Sequence, residues 1–344
     1  MTSVSSLTDW DKGWPVFNEA RCVHSHAAGA SCSACADVCP NGALTLGEDA
    51  LELDVDACDG CALCVAACPQ EVIDSKFGRI DVASLRKGAT AYLACERSGV
   101  ARDRQSMPCV HALSWRHALR LHRAGVREIA AVVGDCHNCP ARSARLEHTM
   151  VHVNEVLSTS RLPGLQFRYL EKTQWEIEVR GVSPADGISS RRRAFLRRFV
   201  DPVGVEQESE VPATVATLLG ESVLVDGVYP AVPLIDRERC DGCDACVRVC
   251  RTGALALIED EAKPRYSVDA SRCTGCNLCS DVCQPHAVSV SRWTTSTQRM
   301  VDLNLQRCPR CGVAYHAPKL RPDNLCNICA TTHHRRNLFQ VDPA

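Results

Sequence analysis

The sequence predicts two small α+β modules wrapped around inorganic centres, a compact α/β domain with a parallel sheet between them, and a C-terminal metal-binding ribbon. Three observations predict it. The chain of 344 residues carries 24 cysteines, mostly in short C-x2-C runs, which favour metal over disulfide because one small loop can wrap a metal. The run Cys58-Asp59-Gly60-Cys61-Ala62-Leu63-Cys64-Val65-Ala66-Ala67-Cys68-Pro69 has near-copies at Cys240 to Cys250 and Cys273 to Cys283, and a stretched one ends at Cys39. Between the two groups, strand-like and helix-like segments alternate, the pattern of a parallel α/β sheet.

Length allows two or three domains, each with its own core. An aromatic content of 5% suits small modules around inorganic centres better than one large organic core. The net charge of −2 argues against a nucleic-acid binder. The opening MTSVSSLTDWDKGWP has acidic residues and no apolar stretch, so no signal peptide is expected. No run of eighteen apolar residues occurs, so no membrane span is expected either, and a reducing cytoplasm is the expected location. Arg191-Arg192-Arg193-Ala194-Phe195-Leu196-Arg197 looks like a twin-arginine export signal, but it lies mid-chain and runs into Arg198, Asp201 and Pro202.

The first module, residues 1–82, begins with an arm carrying Trp10, Trp14 and Phe17, expected to pack on the cysteine loops. Cys32, Cys35 and Cys39-Pro40 keep the spacing of the later runs. The place of the first ligand is taken by Gly29, and Cys22 is the nearest thiolate, with VHSHAAGAS as an insertion. Inserted loops cost little; His24 or His26 is the alternative ligand. ALTLGEDALELDVDAC alternates around Gly47 as strand–turn–strand, and EVIDSKFGRIDV repeats the pattern.

This layout resembles the two-cluster bacterial ferredoxin, whose C-x2-C-x2-C-x3-C-P run sends its fourth cysteine to the other cluster. The resemblance implies one [4Fe–4S] cluster on Cys22, Cys32, Cys35 and Cys68, and a second on Cys39, Cys58, Cys61 and Cys64. A pair of zinc knuckles is the competing reading, but zinc sites use paired C-x2-C units. Residues 233–293 resemble a second such ferredoxin. The same crossing implies a third cluster on Cys240, Cys243, Cys246 and Cys283, and a fourth on Cys250, Cys273, Cys276 and Cys279. Arg251 and Gln284 replace the usual proline, and a cationic Arg251 is expected to raise the potential of its cluster.

In residues 85–180, KGATAYLAC reads as a buried strand ending at Cys95, and MPCVHALS holds Cys109. SWRHALRLHRAG reads as an amphipathic helix ended by Gly125. REIAAVVGDCHNCP is a strand running into Cys136 and Cys139, ARSARLEHTMVHVNEVLST a helix and LQFRYLE a strand. Cys95, Cys109, Cys136 and Cys139 are expected to meet at the carboxyl edge of the sheet, where open α/β sheets place their sites. The order of strand–Cys, Pro-Cys, helix and a strand into Gly-Asp-Cys-His resembles the iron–sulfur (delta) subunit of methyl-viologen-reducing hydrogenases. That family holds a [2Fe–2S] cluster and passes electrons to heterodisulfide-reductase-type partners. The resemblance implies a fifth iron–sulfur site, [2Fe–2S] or [4Fe–4S]; Cys139, and the lack of a second cysteine beside Cys95, depart from the family pattern. A thioredoxin-like dithiol at Cys136/Cys139 and a zinc site are the alternatives. No G-x-G-x-x-G follows a strand, so no nicotinamide or flavin site is expected.

Residues 181–232 read as a linker with a basic helix, RRRAFLRRF, either solvated or a docking face for an acidic partner, and a helix-like ATVATLLG. Residues 300–335 carry Cys308, Cys311, Cys326 and Cys329 as C-x2-C-x14-C-x2-C, a tetrahedral S4 site: zinc ribbon first, rubredoxin-like iron second. His316, His333 and His334 are expected at the surface, and 336–344 is a tail. Eight, four, eight and four cysteines account for all 24. The expected function is a cytoplasmic, polyferredoxin-type subunit relaying single electrons in a hetero-oligomeric complex, between a donor or acceptor protein and a catalytic oxidoreductase subunit. That partner is a hydrogenase, a formate or molybdenum/tungsten enzyme, or a heterodisulfide-reductase-like one. The competing class is an enzyme acting on a disulfide or sulfur compound at Cys95, Cys109, Cys136 and Cys139.

Overall fold

Short strands flanking each cysteine loop pair with one another, and these pairings build the first lobe. The computed structural model describes residues 14–47, 51–74, 86–100, 106–139, 146–179, 211–220, 227–260, 263–319 and 321–331. The lobe runs β1 (Val16–Phe17), α1 (Ala34–Asp37), β2 (Leu44–Leu46), β3 (Leu51–Leu53), α2 (Leu63–Ala67) and β4 (Ile73–Asp74). β2 pairs antiparallel with β3 and β1 with β4, with Phe17 opposite Ile73. Helices this short do not stand alone in water. They are held by the apolar layer of Leu44, Val72 and Ile73, which packs with Phe17, Leu51 and Leu53 around Cys64 and Cys68. Trp10 and the basic helix at 191–199 lie outside the described residues.

The central block contains β5 (Arg86–Lys87), β6 (Thr90–Cys95), β7 (Ser106–Met107), α3 (Trp115–Arg123), β8 (Glu128–Val132), α4 (Leu146–Thr159), β9 (Gln166–Tyr169) and α5 (Lys172–Val179). β6, β8 and β9 are parallel neighbours, β7 joins β6 in parallel and β5 joins it antiparallel. Ala91–Cys95 and Ile129–Val132 are buried throughout, as expected of parallel strands covered on both faces. Ser114 caps α3, accepting from the His117 amide, and Gly125, at φ +90°, follows its end. The two-residue strands β5 and β7 are too short to show a period. α5 has one buried residue, Trp175, and so presents no apolar stripe for sequence reading to find.

α6 (Val215–Leu219) docks on α3, with Leu218 in the central core. The second lobe follows as β10 (Val228–Ile235), α7 (Ala245–Arg248), β11 (Leu255–Ile258), β12 (Arg265–Val268), α8 (Leu278–Asp281), β13 (Val288–Thr295) and β14 (Met300–Asp302). β10 and β13 pair from Val228↔Thr295 to Ile235↔Val288, far longer than the β1–β4 pair. The outer half of this ribbon packs on α4: Tyr229 and Val232 share a core with Val156 and Val215, and Trp293 stacks on His152 at 4.6 Å. The chain closes with the hairpin β15 (Asn304–Arg307) and β16 (Ala314–Ala317) and the helix α9 (Asn327–Thr331). Among the described residues, no helix is long and apolar enough to cross a membrane.

Candidate metal centres

In the first lobe, Cys39, Cys58, Cys61 and Cys64 line a single cavity of about 410 Å³, walled by Leu44, Leu53 and Leu63. Burial pushes the Cys61 thiol up to about 12. Burial also raises Cys64, helped by its neighbours Cys61, Cys58, Cys35 and Cys39. Cys22, Cys32, Cys35 and Cys68 form the other set. Burial raises Cys35 to about 12, and Cys68, Cys32 and Cys22 are close enough to add to the shift. Both histidines proposed as substitutes for Cys22 are engaged elsewhere: His24 Nε2 meets the Cys32 carbonyl at 2.8 Å and His26 Nε2 meets Arg251 Nη1 at 2.8 Å. In the second lobe, burial raises Cys246 to about 12, with Cys240, Cys243 and Cys283 adding to it. Burial raises Cys273 likewise to about 12, with Cys276 and Cys250 adding; the same three cysteines surround Cys279.

One backbone device recurs. In C-x-G-C-x, Gly60, Gly242 and Gly275 have φ of 69°, 74° and 76°, and Ala62, Asp244 and Asn277 beyond the next cysteine have φ of 62°, 62° and 63°. Such left-handed turns aim amide groups inward, making a concavity for anionic groups. The stretched run lacks it: Ser33, after Cys32, has φ −118°. The third residue after each fourth cysteine is left-handed in all four runs, at Gly42, Glu71, Gly253 and His286. The thiols of Cys39, Cys68 and Cys283 accept amides of Ala43, Val72 and Ala287 at 3.2 to 3.4 Å, and Cys250 accepts that of Leu255 at 3.3 Å. The turn therefore does not require the proline that Arg251 and Gln284 replace.

In the central block, Cys95 ends β6, Cys136 follows β8, and both join Cys109 and Cys139 in a cavity of about 450 Å³ at the carboxyl edge of the sheet. Asp59 and Cys61 of the first lobe line this cavity as well. Gly134 lets the strand pass the Arg97 backbone, where a Cβ would come within 2.3 Å of the carbonyl oxygen. Asp135 accepts from the His137 and Asn138 amides and shapes the Cys136 turn. Sequence reading missed His111. Its Nδ1 accepts the Leu146 amide at 3.1 Å, so the other nitrogen carries the proton, and Nε2 lies 3.5 Å from Cys136 Sγ. The Cys-x-His of Cys109-Val110-His111 was the available signal. Burial, with Cys95 and Cys139 adding, raises the Cys136 thiol, the opposite of the lowered value that activates a dithiol.

At the C-terminus, the Sγ atoms of Cys308, Cys311, Cys326 and Cys329 all lie within 4.8 Å of one another. Amides of Cys326, Cys311 and Arg310 hold the Cys308 thiol down at about 6. His316 is not a surface residue. Its ring is half-buried against the second lobe, with Nε2 2.8 Å from Asp244 Oδ1 and an edge contact to Tyr266. The expectation failed because it considered only ligation, and the ring is used to attach one module to another. His333 and His334 lie outside the described residues.

The two lobes meet directly. Gln70 donates to Thr274 at 2.9 Å in a buried contact, and Asp281 accepts from the Ser31 amide and hydroxyl. Cys32 of the first lobe lies within electrostatic reach of Cys276 of the second. The contacts thus place the cysteine sets in one order: central cavity, Cys61 set, Cys68 set, Cys276 set, Cys240 set, ribbon.

Residues 233–290 match the 4Fe-4S dicluster domain family, and residues 51–74 match the 4Fe-4S binding domain family. A 50-residue stretch is 44% identical to a probable iron-sulfur protein of the Frd operon in Proteus vulgaris, named as one of its subunits. The stretch is 14% of this chain and 27% of that protein, so the chain spans about a quarter of the relative it matches. The chain is an iron–sulfur protein with ferredoxin-type 4Fe–4S domains in two separate places.

Proposed function

We propose that this chain is an electron-relay subunit of a multisubunit oxidoreductase, carrying four [4Fe–4S] clusters, a fifth iron–sulfur centre in the central cavity and a zinc ion in the ribbon. The observation that carries the reading is the shared wall: Asp59 and Cys61 line both the 410 Å³ and the 450 Å³ cavities. A centre in one would therefore stand beside a centre in the other. The cysteine sets suit the clusters because the thiols of each set lie together, amides already donate to Cys39, Cys68, Cys250 and Cys283, and the left-handed turns offer more. When bound, each cluster supplies one-electron chemistry. The chain's own residues supply thiolates, exclude water and fix spacing. The ribbon's four sulfurs converge too tightly for a cluster and suit a single tetrahedral ion.

The matched relative is named as an iron–sulfur subunit, which supports placement in a complex with a catalytic partner. The resemblance of the central block to the hydrogenase delta subunit points to a hydrogenase or heterodisulfide-reductase-like partner.

Anaerobic purification with iron, labile sulfide and zinc quantitation tests the reading. We expect about sixteen to twenty irons, comparable sulfide and about one zinc per chain; far less sulfide than iron would overturn it. The nearness of His111 to Cys136 favours one second reading, disulfide chemistry at the central cysteines. In that case Cys136→Ser or Cys139→Ser abolishes disulfide turnover by the isolated chain.

A further inference from the structure

The four cysteine sets differ in the charges around them. We propose that the two centres at the joint between the lobes, on Cys22, Cys32, Cys35 and Cys68 and on Cys250, Cys273, Cys276 and Cys279, are the electron-holding pair. Arg116, Arg251 and Arg292 poise them at higher potential than the outer centres, which Asp59 and Asp241 poise lower. The proposal rests on the four-cluster reading.

Arg116 is 3% exposed. Its Nη2 donates at 2.9 Å to the carbonyl of Pro69, the residue after Cys68, and its Nε donates at 2.8 Å to that of Ala213. Arg292 is exposed, and its Nη2 donates at 2.6 Å to the carbonyl of Gly275, between Cys273 and Cys276. Arg251 follows Cys250 and reaches across the joint to His26 and the Ala20 carbonyl. Acids are present too: Glu19 lies near Cys22, and the others are engaged. Glu71 faces Arg116 and Arg120 together, Asp269 is paired with Arg272, and Asp281 is bonded to Ser31.

The outer sets carry the opposite charge. Asp59 accepts the Cys61 amide at 3.2 Å and Asp241 accepts the Cys243 amide at 3.3 Å. Each carboxylate thus stands inside the ligand loop, between the first and second cysteines of its run. The Asp59 partner, Arg97, is 4.0 Å away and 54% exposed, so water screens it. The same contrast is written in the motifs. The outer first loops read Cys-Asp-Gly-Cys, whereas the inner one of the second lobe reads Cys-Thr-Gly-Cys and that of the first lobe is the long Cys22-to-Cys32 insertion, which has no acidic residue. A cation favours the more negative, reduced state of a nearby centre, and a carboxylate opposes it. With clusters bound, the first two electrons from a one-electron donor protein would rest on the inner pair, one per centre, and would pass from there to a two-electron acceptor site on the partner subunit, with no bond made or broken in this chain.

The test is a potentiometric titration of the anaerobically purified full chain, followed by electron paramagnetic resonance. Two of the four centres are expected to reduce before the other two. Arg292→Gln lowers the midpoint of the early pair alone, and Arg292→Lys restores it. Asp59→Asn and Asp241→Asn each raise one late [4Fe–4S] centre, Asp59→Asn also raising the central centre whose cavity it lines, and both leave the early pair in place. The proposal is overturned if Arg292→Gln shifts no midpoint or moves the late pair, or if the aspartate variants move the early pair. Iron and sulfide content is read on the same samples. A wild-type chain well short of sixteen irons overturns the four-cluster reading instead, so the two failures are distinguishable.

Discussion

The Cys61 set of the first lobe and the C-terminal ribbon each gather four cysteines, but at different spacings. In the lobe, Cys39, Cys58, Cys61 and Cys64 line the rim of an open-sided cavity walled by Leu44, Leu53 and Leu63. In the ribbon the sulfurs lie within 4.8 Å of one another, the tight convergence that suits one ion. Ligand type is the same; what differs is how far the backbone holds the thiols apart. The two regions are also anchored differently. The lobe is tied to the central block through Glu71, Arg116 and Arg120, and the ribbon is seated on the second lobe by the His316–Asp244 contact together with a close fit of the His316 carbonyl against Gly242.

The comparison breaks most readily at the cargo. Cys64→Ser should remove about four irons and about four labile sulfides per chain. Cys308→Ser should remove one metal ion and no sulfide. Equal sulfide loss in the two variants would erase the distinction.

The anchors come next. A Cβ at position 242 would lie 1.8 Å from the His316 carbonyl oxygen, on a residue at φ +74°. Gly242→Ala should therefore lift the ribbon from the lobe at a cost of about 3 kcal/mol. Faster proteolysis near β15 with an unchanged first lobe would show it.

Glu71→Gln should cost somewhat less, about 2 kcal/mol, because Arg116 loses its facing carboxylate but keeps two carbonyl acceptors. Burial pushes the Glu71 carboxyl up, but Arg116, Arg120 and the Ala213 amide outweigh it and leave it below its ordinary 4.5. A depressed carboxyl contributes stability that is complete above 4.5 and is lost as the pH falls through the folded value. The melting-temperature gap between wild type and Glu71→Gln should accordingly hold from pH 8 to 6 and close below 4.5. A gap that widened in acid would sink the account.

Much of this was legible in the chain because spacing is a local property. The motif runs, the strand ending at Cys95, the helix after Ser114 and the two knuckles of the ribbon all follow from residues close in sequence. Contacts between modules were not legible. Arg116 sits in a helix that reads as ordinary and amphipathic, and only the fold brings its guanidinium to Pro69. Gln70 and Thr274 are 204 residues apart, and no period or motif announces such a meeting. Glu71 and His286 take left-handed turns that sequence preference assigns to glycine or asparagine, because the cysteine loop before them dictates the turn.

The long pairing of β10 with β13 has a mechanical consequence. Its inner half closes the second lobe and its outer half is clamped on α4 by Tyr229, Val232 and the Trp293–His152 stack. It therefore acts as a brace, holding the second lobe to the same block that holds the first. A carrier whose lobes swung on a linker would hand charge across only in the moments when they touched. Under the proposed relay, a braced molecule would keep the lobes at the contact that Gln70 makes with Thr274, and the pace of transfer would be set by the centres themselves.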